Sequence, residues 1–347
     1  MIEHNRPWIT PEDRSAVDAV LASNWVAQGP MVKHLEDAFV ALRQGGAACA
    51  VSSGTAALGL ALRSMKLGPG SAVAVPTYSC SALLNAVTWV GADVQVVDVL
   101  PSNFGIDPAG LDETIDAVVV VHVFGSPADT EKCREIVPFV VEDCCQSLGG
   151  EVNNRPLGTI GLASVYSFYA TKIVCGGQGG MVCSCNEAVV DAVRDFRQFD
   201  GRATYEPRFN FQMTDIQAAL VLSQMNRLAE IKRRRQLIAQ RYHSILPSDF
   251  SCQGGLVNEE SMPQRFVLIA PDQGIRDALQ AFMEQQGVRC IVPVQRFELL
   301  HRYLGMDPAR FPVAERLSET TLSLPLYPSL GEEELDHICE AFRVFCA

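Results

Sequence analysis

The stretch "SAVAVPTYSCSALLNAVTWVGADVQVVDV", residues 71–99, decides the fold. It opens on a β-rich run (71–76), passes through a segment of helical period (81–91) and returns to a β-rich run (94–99). Such short, continuously apolar runs read as strands buried on both faces of a sheet. The alternation extends in both directions: "TAALGLALRSM" (55–65) has helical period, while "AVVVVHVF" (117–124) and "FVVED" (139–143) are further strands. Buried strands interleaved with helices imply a parallel sheet with helices on both faces, an α/β fold. Ligands of such sheets sit at the carboxyl ends of the strands.

Past residue 200 the pattern changes. One long amphipathic helix is expected over about 213–243, followed by strands at "QRFVLIA" (264–270) and "GVRCIVPV" (287–294) and a closing helix at "EEELDHICEAFRVF" (332–345). This predicts a large domain over 1–230, whose N-terminal segment is free to pack elsewhere, and a smaller α+β domain over 231–347.

Composition narrows the function classes. A formal charge of −12 argues against a nucleic-acid partner, which needs a basic footprint. The one basic run, "KRRRQ" (232–236), reads as the solvated face of the long helix. No apolar run reaches the ~20 residues of a membrane helix, and the opening "MIEHNRPWITPEDR" has no apolar core of a secretory signal, so a soluble cytoplasmic protein without a membrane partner is expected. The twelve cysteines contain no CxxC pair, and Cys144–Cys145 and Cys183-x-Cys185 are too close for zinc spacing. They read as small buried residues of a reducing compartment, with no metal site.

Three strand-end features carry chemistry. In "AVSSGTAALGLAL" (50–62) a strand runs through Ser53, Gly54 and Thr55 into a helix. Free amides at a helix start, with hydroxyls and a glycine that permits close approach, bind an anion such as phosphate; read alone, Ser53 or Thr55 is more readily a helix cap. Neither nucleotide-loop spacing is present, which disfavours a bare nucleotide-binding oxidoreductase. In "VVEDCCQSLGG" (140–150) a buried strand ends on Glu142 and Asp143, with Gln146 three residues on. A carboxylate there needs a cation or strong donors, unless Asp143 simply caps a helix after the strand. In "YSFYATKIVCGGQGG" (166–180) Lys172 lies between an apolar aromatic run and Gly176, Gly177, Gly179 and Gly180. A lysine amine among apolar neighbours loses its proton readily and attacks carbonyls, although a lone loop lysine is more commonly just exposed. The ordered set is the informative part. A phosphate cup, a strand-end carboxylate and a lysine about thirty residues later are what pyridoxal 5'-phosphate requires.

With these residues in place the sequence resembles the DegT/DnrJ/EryC1/StrS sugar aminotransferases, of the aspartate-aminotransferase fold type. The resemblance runs through "NWVAQGPMVKHLEDAF" (24–39), "SSGTAAL" (52–58), "FGSPADT" (124–130), "VEDCCQSLGG" (141–150), "SFYATKIVCGGQGG" (167–180), "FNFQMTDIQAALVLSQM" (209–225) and "LSLPLYPSL" (322–330). It implies a large domain built on a mostly parallel seven-stranded sheet, a smaller C-terminal domain, and a homodimer with shared active sites. It also implies an amine transferred, usually from glutamate, to a keto-sugar nucleotide. By the same resemblance Lys172 is the Schiff-base lysine, Asp143 the partner of the pyridine nitrogen and Gln146 the neighbour of the ring hydroxyl. Gly54, Thr55 and Ser167 match the phosphate contacts, with Asn210 reaching the phosphate from the other subunit. Lysine rather than histidine at 172 favours transamination over dehydration.

Departures cluster near the substrate. Cys80 stands where many members stack an aromatic ring on the cofactor, leaving Tyr78 as the alternative stacking group, and Cys80 is also readable as a packing residue. Gln178 replaces the common Glu of "GEGG", Gln212 replaces the Arg of "NxR", and the His-Tyr pair near 287–294 is absent, with His301 following. His122 reads as a satisfied core histidine. Arg202, Arg208 and Arg296 lie in loop-like stretches, where they are available to an anionic substrate or are ordinary surface arginines. A non-sugar ketone as acceptor, or a cofactor-binding regulator without turnover, are the competing readings.

Overall fold

The computed structural model describes residues 1–258 and 260–347, and in it the buried runs become one seven-stranded sheet. Its strands begin with β1 (Ala47–Val51), β2 (Ala72–Pro76), β3 (Asp93–Val97), β4 (Ala117–Val121) and β5 (Phe139–Asp143). A small hairpin, β6 (Glu151–Val152) and β7 (Arg155–Pro156), precedes β8 (Ala163–Ser167) and β9 (Gly180–Ser184). The spatial order is β1-β9-β8-β5-β4-β2-β3, with β8 through β3 parallel and β9 antiparallel to both of its neighbours. All five residues of β4 are buried, as a valine run with helices on both sides requires.

The helices over this sheet are α1 (Pro11–Ser23), α2 (Pro30–Leu42), α3 (Gly54–Ser64), α4 (Ala82–Val90), α5 (Thr130–Ile136) and α6 (Glu187–Arg197). Proline opens α1 and α2, where its missing N–H is no loss. The start of α2 is capped from far along the chain. The buried Asp215 carboxylate accepts hydrogen bonds from the backbone N–H groups of Gly29 (2.8 Å), Met31 (3.1 Å) and Val32 (3.0 Å).

The expected single helix over 213–243 is two helices, α7 (Asp215–Met225) and α8 (Leu228–His243), interrupted at Asn226 and Arg227. The Arg227 guanidinium is drawn off the helical line to Asp13 and the Trp8 carbonyl. Nor is "KRRRQ" wholly solvated. Arg235 is 2% exposed and donates to the carbonyls of Pro263, Gln264 and Leu326.

The remaining elements are β10 (Ser251–Cys252), β11 (Phe266–Ile269), α9 (Gln273–Gln285), α10 (Leu300–Tyr303), α11 (Pro312–Thr320), β12 (Thr321–Leu324) and α12 (Glu332–Cys346). The strands form an antiparallel sheet, β10-β11-β12, with its own apolar core. The expected strand at 287–294 reduces to single bridges, Val288 to Ile2 and Ile291 to Ser323. An apolar run was not enough, because β12 offers it only one ladder position. Among the described residues no helix is long and apolar enough to cross a membrane, and all twelve cysteines are free.

His301 and Arg296 meet on one carboxylate, Glu315 of α11. It accepts from Arg302 (2.6 and 2.7 Å), Arg296 (2.7 Å) and His301 (2.9 Å). Burial works against that carboxyl's charge, but these donors outweigh it and hold the group at about 2, against an ordinary 4.5. Burial also pushes the His301 imidazole down, which keeps it neutral, so the two arginines carry the ionic part. A depressed carboxyl stabilises the fold fully above its ordinary range and loses that contribution as pH falls from 4.5 toward 2. Glu315→Gln is therefore expected to flatten the acid limb of a urea-midpoint profile in that window; a limb as steep as the parent's refutes it.

Candidate active site

The carboxyl ends of β5 and β8 and the start of α3 converge on one side of the sheet. Ser53 caps α3: its Oγ accepts from the Ala56 N–H at 3.1 Å. The first-turn amides of Gly54 and Thr55 have no intrahelical acceptor and face outward with the helix dipole. A Cβ on Gly54 would stand 2.8 Å from Ser167 Cβ and 3.2 Å from Cys145 Sγ. Only glycine lets the helix end approach β8 this closely. The free amides of Gly54 and Thr55, with Ser167 packed against the helix start, are an anion cradle by helix-terminus chemistry, while the Ser53 hydroxyl is spent on the cap.

Asp143 ends β5, is 6% exposed, and its Oδ1 accepts from the Cys145 N–H at 2.9 Å. The Cys145 thiol is a second hydrogen-bond partner of the same carboxylate. Lys172 sits in the turn between β8 and β9, where its backbone N–H donates to the Tyr169 carbonyl at 2.9 Å. Its half-buried amine has no hydrogen bond or ion pair among the described residues. The amine lines a cleft of about 210 Å³ together with Cys80, Gln146, Phe124 and residues from the C-terminal part of the chain. The charges of Asp143 and Lys172 both act on the thiols of Cys80 and Cys145, so the four groups share one electrostatic neighbourhood. Desolvation, with the Asp143 carboxylate adding to it, pushes both thiols up.

Gln146 is oriented by its surroundings. Its Oε1 accepts from the Phe124 N–H at 2.8 Å, which leaves the Nε2 hydrogens for a ligand. Phe124 is a non-glycine residue in the left-handed region (φ 53°), pinned by this bond and by the Gln264 N–H to its carbonyl at 2.9 Å. The next residue must be glycine. Gly125 has φ +96°, and a Cβ there would meet the Met262 carbonyl at 1.9 Å.

Tyr78 has no free face for stacking. Its ring is 0% exposed, packs edge-on against Phe104 and Phe124, and its hydroxyl bonds Thr321 Oγ1 at 2.9 Å. Cys80 and Ser81, both exposed, line the cleft on that side. Asn210 is exposed, outside the cleft, with its Oδ1 accepting from the Gln212 N–H at 3.2 Å. Its segment runs beside the cradle, where Ser52 donates to the Phe211 carbonyl at 2.8 Å. Arg202 and Arg208 both bind Asp195, and Arg296 is held by Glu315, so none of the three is free. His122 is a satisfied core residue: its Nδ1 accepts from the Ala128 N–H and its Nε2 donates to Glu142.

Thr171, Gln264, Arg265, Glu298 and Tyr303 also line the cleft. Thr171 comes with Lys172 in the turn after β8; periodicity marks none of the other four, because they arrive through the packing of the C-terminal elements onto the sheet. A larger hollow of about 500 Å³, walled mainly by aliphatic side chains such as Leu42, Leu148 and Met225, holds neither Lys172 nor Asp143. Anion cradle, buried carboxylate and free amine fit pyridoxal phosphate by donor chemistry: amides for the phosphate, an acid for a protonated ring nitrogen and an amine for the aldehyde.

Comparison with known proteins agrees. The model of the DegT/DnrJ/EryC1/StrS aminotransferase family matches residues 7–343. The spore coat polysaccharide biosynthesis protein SpsC of Bacillus subtilis is 30% identical over 99% of this chain and 96% of its own. Among solved structures, the pyridoxal-phosphate form of the putative sugar aminotransferase Spr1654 of Streptococcus pneumoniae superposes with a TM-score of 0.92 at 26% identity, over 99% of this chain and 98% of that one. The aminotransferase TlmJ of Streptoalloteichus hindustanus gives 0.89 at 29% identity, over 100% and 99%.

Proposed function

The chain belongs to the DegT/DnrJ/EryC1/StrS aminotransferase family and is a pyridoxal-phosphate-dependent transaminase; from that premise we propose that it moves an amino group from glutamate to a keto-sugar nucleotide. It does so in the cytoplasm, as a homodimer with shared sites, in the making of an amino sugar for a polysaccharide or related product. The relative named for spore coat polysaccharide biosynthesis and the structure named a putative sugar aminotransferase support the sugar acceptor. The observation that carries the reading is the unpaired Lys172 amine sharing one electrostatic neighbourhood with Asp143, beside the α3 cradle.

When bound, pyridoxal phosphate supplies an aldehyde that condenses with amines and a ring that takes up the electron pair released at the substrate carbon. The chain's own groups do the rest. The amides of Gly54 and Thr55 and the hydroxyls of Thr55 and Ser167 hold the phosphate, with Ser53 fixing the helix end. The Asp143 carboxylate would accept a hydrogen bond from the ring nitrogen and keep its proton in place. Gln146 Nε2 donates toward the ring hydroxyl, and Asn210 reaches across from a second copy of the chain. Lys172 Nζ would hold the cofactor at rest and, when free, would carry the proton between the substrate carbon and the cofactor carbon that bore the aldehyde.

The test is spectroscopic. Protein loaded with pyridoxal phosphate should show a visible band that glutamate bleaches with release of 2-oxoglutarate, and one of a panel of keto-sugar nucleotides should restore it. A band indifferent to glutamate removes the proposed donor and favours the regulator. Restoration by a non-sugar ketone alone removes the proposed acceptor.

A further inference from the structure

Arg265, just ahead of β11, puts an unpaired guanidinium on the wall of the Lys172 cleft. Its Nη1 is buried and has no acceptor among the described residues. Leaving a buried donor without an acceptor is costly, more so when the group is charged. Other buried guanidiniums also carry an unpaired nitrogen, but each makes at least one hydrogen bond, Arg43 to the Gly158 carbonyl, Arg197 to Glu36 and the Ala50 carbonyl, and Arg235 to three carbonyls, whereas the Arg265 side chain makes none among the described residues. The cleft's own carboxylate, Glu298, makes no ion pair with Arg265 and accepts instead from the Gln295 N–H at 2.8 Å.

Arg265 is also held in position. Its guanidinium lies 5.5 Å from the centre of the Phe124 ring, the residue locked in the left-handed conformation by Gln146 and Gln264. Thr171, Gln264 and Arg265 separate the cleft from an adjoining hollow of about 130 Å³ that also contains His4. The cation therefore rests on a rigid platform with a solvent-sized space on either side.

Its position selects the anion. Both substrates of a transaminase visit the same cleft in turn, but only an amino-acid donor carries a carboxylate on the reacting carbon itself. A nucleotide's phosphates lie several bonds from the ketone, beyond a cleft of about 210 Å³. A planar guanidinium fork matches a carboxylate with two parallel hydrogen bonds. We propose that Arg265 receives the α-carboxylate of the amino-acid donor and sets the preference for a carboxylate-bearing amine. This rests on the transaminase reading above and adds the group that recognises the donor.

Three proteins decide the matter: wild type, Arg265→Met and Arg265→Lys, each loaded with pyridoxal phosphate. Glutamate bleaching is followed over a concentration series, and binding of glutarate, a non-reacting carboxylate, is measured by calorimetry. Arg265→Met should keep the visible band yet raise the half-saturating glutamate concentration on the order of 30-fold or more, with glutarate affinity falling in parallel. Arg265→Lys should recover part of both, and the acceptor half-reaction should keep its half-saturation. Unchanged glutamate and glutarate affinity overturns the proposal, as does a fall in limiting rate alone or a loss confined to the acceptor. In each of those cases a wild type that still bleaches leaves the transaminase standing; a wild type that never bleaches takes both down.

Discussion

Lys172→Ala is expected to lose turnover with glutamate by about 10⁴-fold or more while folding normally. The size follows from the two tasks placed on one atom. The amine anchors the cofactor and moves the substrate proton, and proton transfer by a positioned side chain alone is worth roughly 10² to 10⁴. The structural cost is small, because the amine makes no hydrogen bond or ion pair that its removal would orphan. The variant's thermal midpoint should match the parent's, and borohydride treatment of cofactor-loaded protein should label the parent at position 172 and leave the variant unlabelled. Turnover within tenfold of the parent, or a label at another lysine, would sink the assignment. Lys172→Arg separates the tasks further, since a guanidinium keeps the charge but neither condenses with an aldehyde nor surrenders a proton at neutral pH.

Glu142→Ala should be the most damaging single change to the scaffold under the site. The side chain is 0% exposed, beside Asp143 at the end of β5. Its Oε1 accepts from the N–H groups of Ile160 and Gly161, both at 2.7 Å, and its Oε2 from Gly158 N–H and His122 Nε2, both at 3.1 Å. The Ala128 N–H on His122 Nδ1 fixes the tautomer, so Nε2 carries the proton toward Glu142. Burial by itself would push this carboxyl up; the His122 bond and the backbone amides overcome it and hold the group below its ordinary value. Removing the carboxylate strands four buried donors, for a loss of about 3–5 kcal/mol. That is a fall in thermal midpoint of roughly 4–7 °C for a chain of this size. The same sign governs pH: a depressed carboxyl contributes above its ordinary range and stops contributing on acidification, so the variant should lose most near neutrality and differ least in acid. A midpoint unchanged at pH 7 would show that the loop at 158–161 reorganises without it.

Much of the site was legible because its parts are local. Ser53, Gly54 and Thr55 follow a strand and open a helix, and that order alone specifies a cap and free amides. Asp143 ends an apolar run, so its burial follows from the run. Lys172 precedes four glycines, which already implies a tight turn. Tyr78 shows the opposite case. Its residue type suits a stacking ring, but its direction depends on Thr321, Phe104 and Phe124, which reach it from distant parts of the chain. The arginines chosen from loop-like sequence are neutralised by Asp195 and Glu315, whereas Arg265, within an apolar run, is the one left facing the cleft.

The sequence by itself determined the parallel sheet, the order of the three strand-end groups and the family, since apolar period, capping chemistry and motif order are all written within a few residues of one another. Only the tertiary structure decided the Asp215 cap on α2, the break at Asn226–Arg227, the loss of a full strand at 287–294 and the company each arginine keeps. Those outcomes turn on which distant partner satisfies a buried donor or charge. That choice is made when the chain closes on itself, and no local pattern carries it.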